Sequence, residues 1–432
     1  MKKDNIYFII LILIVLIYKI YKYLHTGAIL YNSDTVSYFY PSNIFNSEVN
    51  PFRMVVFPTI LAFLNPGNIA GLGENVLLFN YCCSFFSVLL FYLLLRKTVH
   101  QHWLVLLFSL FFMQWEVINR FNAMILPETF CVFLSVLLGF IFVVMIKDNS
   151  HIARLILPIL IGIAVFTKPT FILLFVVYLF FVLYSMNKSN YKKQLLGIVM
   201  LILVTSCLWL FKVANHSKFG YNGITMVSLN NDLANICLSG SYKNDVDKEL
   251  VSMIDSTLGR GFYVSVFYLN NFCIDYYKKN ANRFPGITRP TDDMLFVINI
   301  IDTKNISFSR LEAFTQRCKQ KGIYWKFIIT KMLDILIEYR YMVLVIMIIM
   351  MIGIRFSKLC TPSSPILFLF PILTFTAMAT VSIGGIYDWE RLLIYIYPYF
   401  IIMSALLIDF FLYRGNIWLF NKNGKTTNKQ TN

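Results

Sequence analysis

Asp34 stands four residues before Tyr38, a spacing that puts both side chains on one face of a helical turn. Arg53 follows about twenty residues later, in Asn50-Pro-Phe-Arg-Met-Val-Val-Phe-Pro58. A carboxylate can take the proton of a hydroxyl nucleophile. A guanidinium can hold phosphate oxygens through two parallel hydrogen bonds. An N-cap aspartate and an interfacial arginine anchor would fit the same spacing, and spacing alone leans to that plainer alternative. Glu128 follows Pro127 directly, in Asn119-Arg-Phe-Asn-Ala-Met-Ile-Leu-Pro-Glu128. Its charge suits the first turn of a helix; it could equally orient a substrate hydroxyl or a basic partner. Lys168, in Thr167-Lys168-Pro169, is a lone cation between two apolar runs, where a phosphate contact is reasonable. His216 reads first as a solvated interface histidine and only second as a base or substrate contact. Further on, Ile386-Tyr-Asp-Trp-Glu-Arg391 sets Asp388, Glu390 and Arg391 before the last apolar run. Arg391 could pair with either acid.

The eight Cys include no CxxC pair and no ligand spacing with His, so a metal cluster is not expected. The chemistry needs no cofactor. A divalent metal is compatible with the carboxylates but not indicated.

These residues punctuate a very apolar chain. Of 432 residues, 58% are hydrophobic and only 14% charged, too much apolar surface for a soluble fold to hide. The net charge of +16 suggests nucleic acid only at first sight, because many basic residues cluster at the ends of apolar runs. The expected class is an all-α polytopic membrane protein. Ten spans are read, near 6–24, 75–95, 103–118, 125–146, 155–167, 170–185, 195–213, 341–354, 364–382 and 392–412. Lys168-Pro169 breaks the run at 155–185.

Lys2, Lys3, Arg96, Lys97, Lys147, Arg154, Lys188, Lys192, Lys193, Arg355, Lys358 and the tail from Arg414 fall on one side. That asymmetry predicts both termini in the cytoplasm, and the expected location is a cytoplasmic (inner) membrane. Lys19 and Lys22 fall at the outer end of the first span, where snorkelling accommodates them. The first span has no small-x-small cleavage site after it and reads as a retained anchor. The domains expected are a transmembrane module over 1–213, an extracytoplasmic loop domain over 214–340, and C-terminal helices with a basic tail over 341–432. The first module holds an outer loop at 25–74 with a membrane-skimming piece near 53–64. The loop domain carries aromatic clusters at Phe262-Tyr263, Phe267-Tyr268 and Tyr276-Tyr277, and its part from Phe308 to Glu338 has helical spacing. The Lys/Asn tail after Asn421 reads as disordered.

The order of the polar pieces is more specific than any one of them. An outer-loop Asp-x-x-x-Tyr is followed by an arginine and a Pro-bearing amphipathic stretch, then by a Glu at the top of the fourth span. Next come GIAVFTKPT at 162–170, LWLFKVANHSKFG at 208–220 and ERLLIYIYPYFIIMSALL at 390–407. This succession resembles the GT-C superfamily of membrane glycosyltransferases, such as the protein O-mannosyltransferases and lipid A aminoarabinose transferases. The resemblance runs over about residues 1–412, apart from 221–320. It implies a GT-C-like helix bundle and a polyprenyl-phosphate sugar donor used on the outer face. The acceptor would be a glycan, lipid or protein, with membrane lipids as surroundings and no nucleic acid. It also implies Asp34 as the catalytic base. Arg53, Lys168 and Arg391 would bind the donor phosphate, with Tyr38, Glu128, His216 and Asp388 orienting substrate. Many relatives carry an acidic pair where this chain has Ser33-Asp34. Leu392 stands where the family's Arg-Tyr-x-x-Pro-like tail has Tyr. Two other functions remain compatible: a polysaccharide polymerase, and a flippase or secondary transporter. Transporters place charges near the midplane and show related halves. Here the charges sit at one face.

Overall fold

A backbone in lipid must satisfy its own hydrogen bonds, so long apolar runs become helices. The computed structural model of the chain describes residues 3–27, 29, 30, 38, 53–65, 69–184, 191–219, 222–258, 308–357, 364–384 and 389–427. Among them are helices and turns but no strand, with an isolated parallel bridge between Leu30 and Met124. The longer helices are α1 (Lys3–His25), α2 (Val56–Leu64), α3 (Ile69–Thr98), α4 (His102–Gln114) and α5 (Glu128–Lys147). Then come α6 (His151–Thr167), α7 (Leu174–Tyr184), α8 (Tyr191–Phe219), α9 (Met226–Ser239) and α10 (Lys248–Leu258). The chain closes with α11 (Phe308–Lys319), α12 (Gly322–Glu338), α13 (Arg340–Ser357), α14 (Ser364–Gly384) and α15 (Tyr397–Thr427).

Six stretches are long and apolar enough to cross a membrane: Asn5–His25, Gly71–Thr98, Glu128–Lys147, Gln194–Ser217, Leu367–Gly384 and Ile394–Leu412. Two bent pairs could raise the number to eight: α4 with Glu116–Ala123, bent by 50°, and α12 with α13, bent by 86°. The chain is thus a multi-pass membrane protein with six to eight candidate spans, where hydropathy alone counts ten. Two of the ten lie at 155–185, and the rest of the difference is whether each bent pair counts as one span. Pro169 splits that run into α6, of 17 residues, and α7, of 11. At 1.5 Å per residue α6 is roughly 25 Å long, short of a hydrocarbon core of about 30 Å. α2, with nine residues, is too short to span and packs on α3 and α6. At the other end of the chain α15 runs on to Thr427, past Asn421 where disorder was expected. A helix already nucleated by its apolar part adds residues at little cost. The aromatic clusters between Phe262 and Tyr277 lie outside the described residues.

α3 and α5 form the centre of the bundle. Phe91 of α3 stacks on Phe112 of α4 at 4.3 Å, and Gly139 of α5 leaves room for the Tyr399 ring. Leu13, Ile17, Ile20 and Leu24 of α1, and Leu196, Leu203, Trp209 and Leu210 of α8, face outward. A bilayer solvates such surfaces, whereas water would not. α6 and α8 approach closely at Gly162, where a Cβ would stand 2.5 Å from Val204 Cγ1. Small residues allow this kind of contact in lipid. Gly162→Leu is expected to lower stability by about 1–3 kcal/mol through overpacking, read as a lower midpoint of thermal unfolding in detergent. An unchanged midpoint would show that the two helices do not meet there.

The two ends of the bundle differ. α5 starts at Glu128 and the consecutive α6 ends at Thr167, so both reach the same end. The opposite end holds Arg96, Lys97, Lys147 and Arg154, four of the basic residues read as cytoplasmic. There Lys97 pairs with Asp148 at 2.5 Å, buried Arg154 donates to the Asn149 carbonyl at 3.2 Å, and Asp409 caps α4 through the His100 and Gln101 amides. Lys19 departs from expectation. It is buried and donates to Asn119 Oδ1 at 2.6 Å, while Lys22 remains exposed.

In the described parts of 214–340, ion pairs tie the helices together. Arg310 binds Asp247 at 2.7 and 2.6 Å, and Arg317 binds Asp245 at 3.1 and 2.8 Å, joining α11 to the residues that lead into α10. The Arg310 hydrogen bonds hold the Asp247 carboxyl below the usual carboxylate range. α9 docks on α14 through Asn235, which donates to the Ile383 carbonyl at 3.2 Å, and Asn231, which donates to that of Gly384.

Candidate functional site

The site grows from a proline. Pro169 disfavours helical geometry in the residue before it. Lys168 accordingly leaves α6 in an extended conformation, with φ −149° and ψ 119°. Its ammonium reaches Glu128 Oε1 at 3.3 Å and the Arg391 carbonyl at 3.4 Å. Arg391 Nε donates to the same Glu128 oxygen at 2.8 Å. Glu128 is wholly buried at the head of α5, with Lys168 and Arg391 in front of it. One carboxylate thus gathers two cations from segments far apart in the chain.

The segment bearing Arg391 is tied down behind it. The Tyr395 hydroxyl donates to the Thr170 carbonyl at 3.2 Å, and its ring lies 4.3 Å from Phe171. Ser135 donates to the Tyr395 carbonyl at 2.5 Å, and Tyr399 donates back to the Ser135 carbonyl at 2.9 Å. Both partners are buried, where hydrogen bonds hold position best. The short helix Trp389–Leu392 is further held by an ion pair of Glu390 with Arg120 at 2.9 Å. Arg391 therefore pairs with Glu128, and its neighbour Glu390 is engaged elsewhere.

Lys168 and Arg391 line a cavity of about 450 Å³ together with Arg53. The Arg53 guanidinium lies over the Tyr38 ring at 4.5 Å, and Phe57 of α2 meets that ring edge-on at 5.3 Å. Met54, Ile172, Leu173, Ile383 and Leu392 supply an apolar lining. α9 adds Ser228, Asn231 and Asp232. Burial pushes the Asp232 carboxyl above the usual range, against the opposing pull of Lys319, with which it forms an ion pair. Three basic side chains and one acidic one thus face a largely apolar space, an arrangement suited to an anion on an apolar chain.

The residues singled out by sequence divide as follows. Arg53, Lys168, Arg391 and Tyr38 line one cavity. Glu128 stands behind it as the shared partner of two of them. His216 is exposed on α8 and is not among the lining residues. Asp34 and Asp388 lie outside the described residues. Leu30, before Asp34 in the chain, is fixed by its amide to the Ala123 carbonyl at 2.7 Å. The contribution of α9 was missed, because Asn231 and Asp232 belong to no motif and sit where the family resemblance lapses. Among the described residues no group of three or more His, Cys, Asp or Glu side chains could hold a metal ion. No protein-family model, no curated protein and no solved structure matches the chain.

Proposed function

We propose that this protein is a membrane glycosyltransferase that moves a sugar from a polyprenyl-phosphate-linked donor to an extracytoplasmic acceptor by single displacement with inversion. The observation that carries the proposal is the cavity shared by Arg53, Lys168 and Arg391. Its apolar lining suits an isoprenoid chain, and its cations suit the phosphate. In the reaction Asp34 takes the proton of an acceptor hydroxyl. The oxygen bonds to the anomeric carbon, and the bond from that carbon to the phosphate oxygen breaks with its electron pair. The donor phosphodiester carries one negative charge, while the released monoester carries about 1.5–2 at neutral pH. Cations held in advance favour that build-up of charge. The leaving group is an anion, so no protonating acid is needed, unlike in glycoside hydrolysis.

The test is transfer of labelled sugar from a polyprenyl-phosphate donor by the purified chain in lipid. Failure to consume any such donor would overturn the proposal. Arg53→Lys keeps the charge but loses the planar fork. It is expected to lower donor use about tenfold, the scale of one charge-assisted hydrogen bond. Donor use equal to wild type would remove Arg53 from the phosphate site.

A further inference from the structure

A second cavity, of about 420 Å³, lies beside the first and shares Asp232 with it. Its lining is of a different kind. Lys212, Asn222, Asp232, Ser309, Glu312, Thr315 and Gln316 all offer hydrogen-bonding groups, and only Leu229 and Ala313 are apolar. α8, α9 and α11 supply these walls, with Asn222 from the turn between α8 and α9. Its positive charge comes from Lys212 and its negative charges from Asp232 and Glu312. The Asn222 amide donates to Glu312 Oε1 at 2.5 Å, which fixes one rim.

Thr315 supplies an independent sign of a ligand. It is 3% exposed, it lines this cavity, and its hydroxyl makes no hydrogen bond among the described residues. A buried hydroxyl left unmatched costs about 1–3 kcal/mol. The hydroxyl has no open surface, so a ligand hydroxyl would reach it only with a small shift of the wall, and would then remove that cost.

From this lining we infer that the second cavity binds a hydroxyl-rich carbohydrate, the acceptor of the reaction, with Asp232 holding it at the wall shared with the donor cavity. The inference rests on the glycosyltransferase proposal and narrows its acceptor to a glycan. A lining of mostly hydrogen-bonding side chains, with Leu229 and Ala313 as its apolar part, fits a sugar. A lipid acceptor would need a mostly apolar lining, which the cation cavity has and this one does not. The volume falls in the range of small-molecule sites.

The experiment uses the full chain in lipid nanodiscs carrying Ser309→Cys, an exposed position on the rim. Reaction of that thiol with a hydrophilic maleimide is followed by mass spectrometry on its own peptide. The probes are a panel of short neutral oligosaccharides and, as the contrasting arm, dodecyl phosphate. At least one oligosaccharide should slow labelling at saturation, and dodecyl phosphate should not. Adding Thr315→Val, which is nearly isosteric, or Asp232→Asn should raise the protecting concentration about tenfold, the effect of one hydrogen bond to a buried group. The inference is overturned if no oligosaccharide protects, if dodecyl phosphate protects instead, or if both variants are protected like the parent. Protection without donor consumption would leave the carbohydrate site standing and sink the glycosyltransferase proposal. Donor consumption without protection would sink the carbohydrate site alone.

Discussion

Asp34→Asn is expected to leave the protein folded and inserted while lowering sugar transfer by about a hundredfold to ten-thousandfold. Asn keeps the size of the side chain and some of its hydrogen bonds, but it accepts no proton at neutral pH. A helix-capping role predicts the opposite, because Asn caps helices about as well as Asp. The substitution therefore separates the two roles in a way that Asp34→Ala does not. Transfer is measured from a polyprenyl-phosphate donor in membranes at matched protein levels. Near-normal transfer would make Asp34 structural and turn attention to Asp388 and Asp232, the second of which lines both cavities.

The second large effect is on stability. Glu128→Gln keeps the shape of the side chain and removes the charge that Lys168 and Arg391 share. Glu128 has no exposure, and the side chains of its partners are only 10% and 15% exposed. Removing one member of such a buried group costs about 3–5 kcal/mol. A carboxylate that merely complements the dipole of α5 would cost about 0.3–1 kcal/mol. The midpoint of thermal unfolding in detergent discriminates the two, and a small shift would dismiss the shared-carboxylate account. Combining Glu128→Gln with Lys168→Met should recover part of the loss, since one of the two cations leaves with its counter-charge. Dodecyl phosphate should stabilise Glu128→Gln more than wild type, because its anion can replace the missing carboxylate.

The membrane class and the three cations that line one cavity were legible in the sequence, for one physical reason. A charge at the edge of an apolar run is costly unless something uses it, so Arg53, Lys168 and Arg391 stood out individually. Lys168-Pro169 also announced the break that presents Lys168. What joined them was hidden. Glu128 and Arg391 are 263 positions apart, and no local spacing reports such a pair. Arg391 had two nearer acids, Asp388 and Glu390, and the ion pair of Glu390 with Arg120 depends on the folded bundle. The count of candidate spans differs from ten because hydropathy sums do not register the bends at Trp115 and Tyr339 or the shortness of α6 and α7. The second cavity left no trace in the sequence, since ordinary polar helices such as α9 and α11 form it only by packing together.

The buried Lys19 has a consequence for the order of synthesis. Its acceptor, Asn119, lies 100 positions later in the chain. At roughly 5–20 residues per second, that acceptor emerges about 5–20 s after the first helix. Throughout that interval the nascent α1 must keep its ammonium at a water interface, since no polar partner yet exists in the lipid. α1 thus settles with Lys19 on Asn119 only when the bend after α4 arrives to receive it. Asn119 is itself anchored to the Met113 and Trp115 carbonyls at 2.7 and 2.9 Å, so the acceptor that holds Lys19 exists only once that bend has folded.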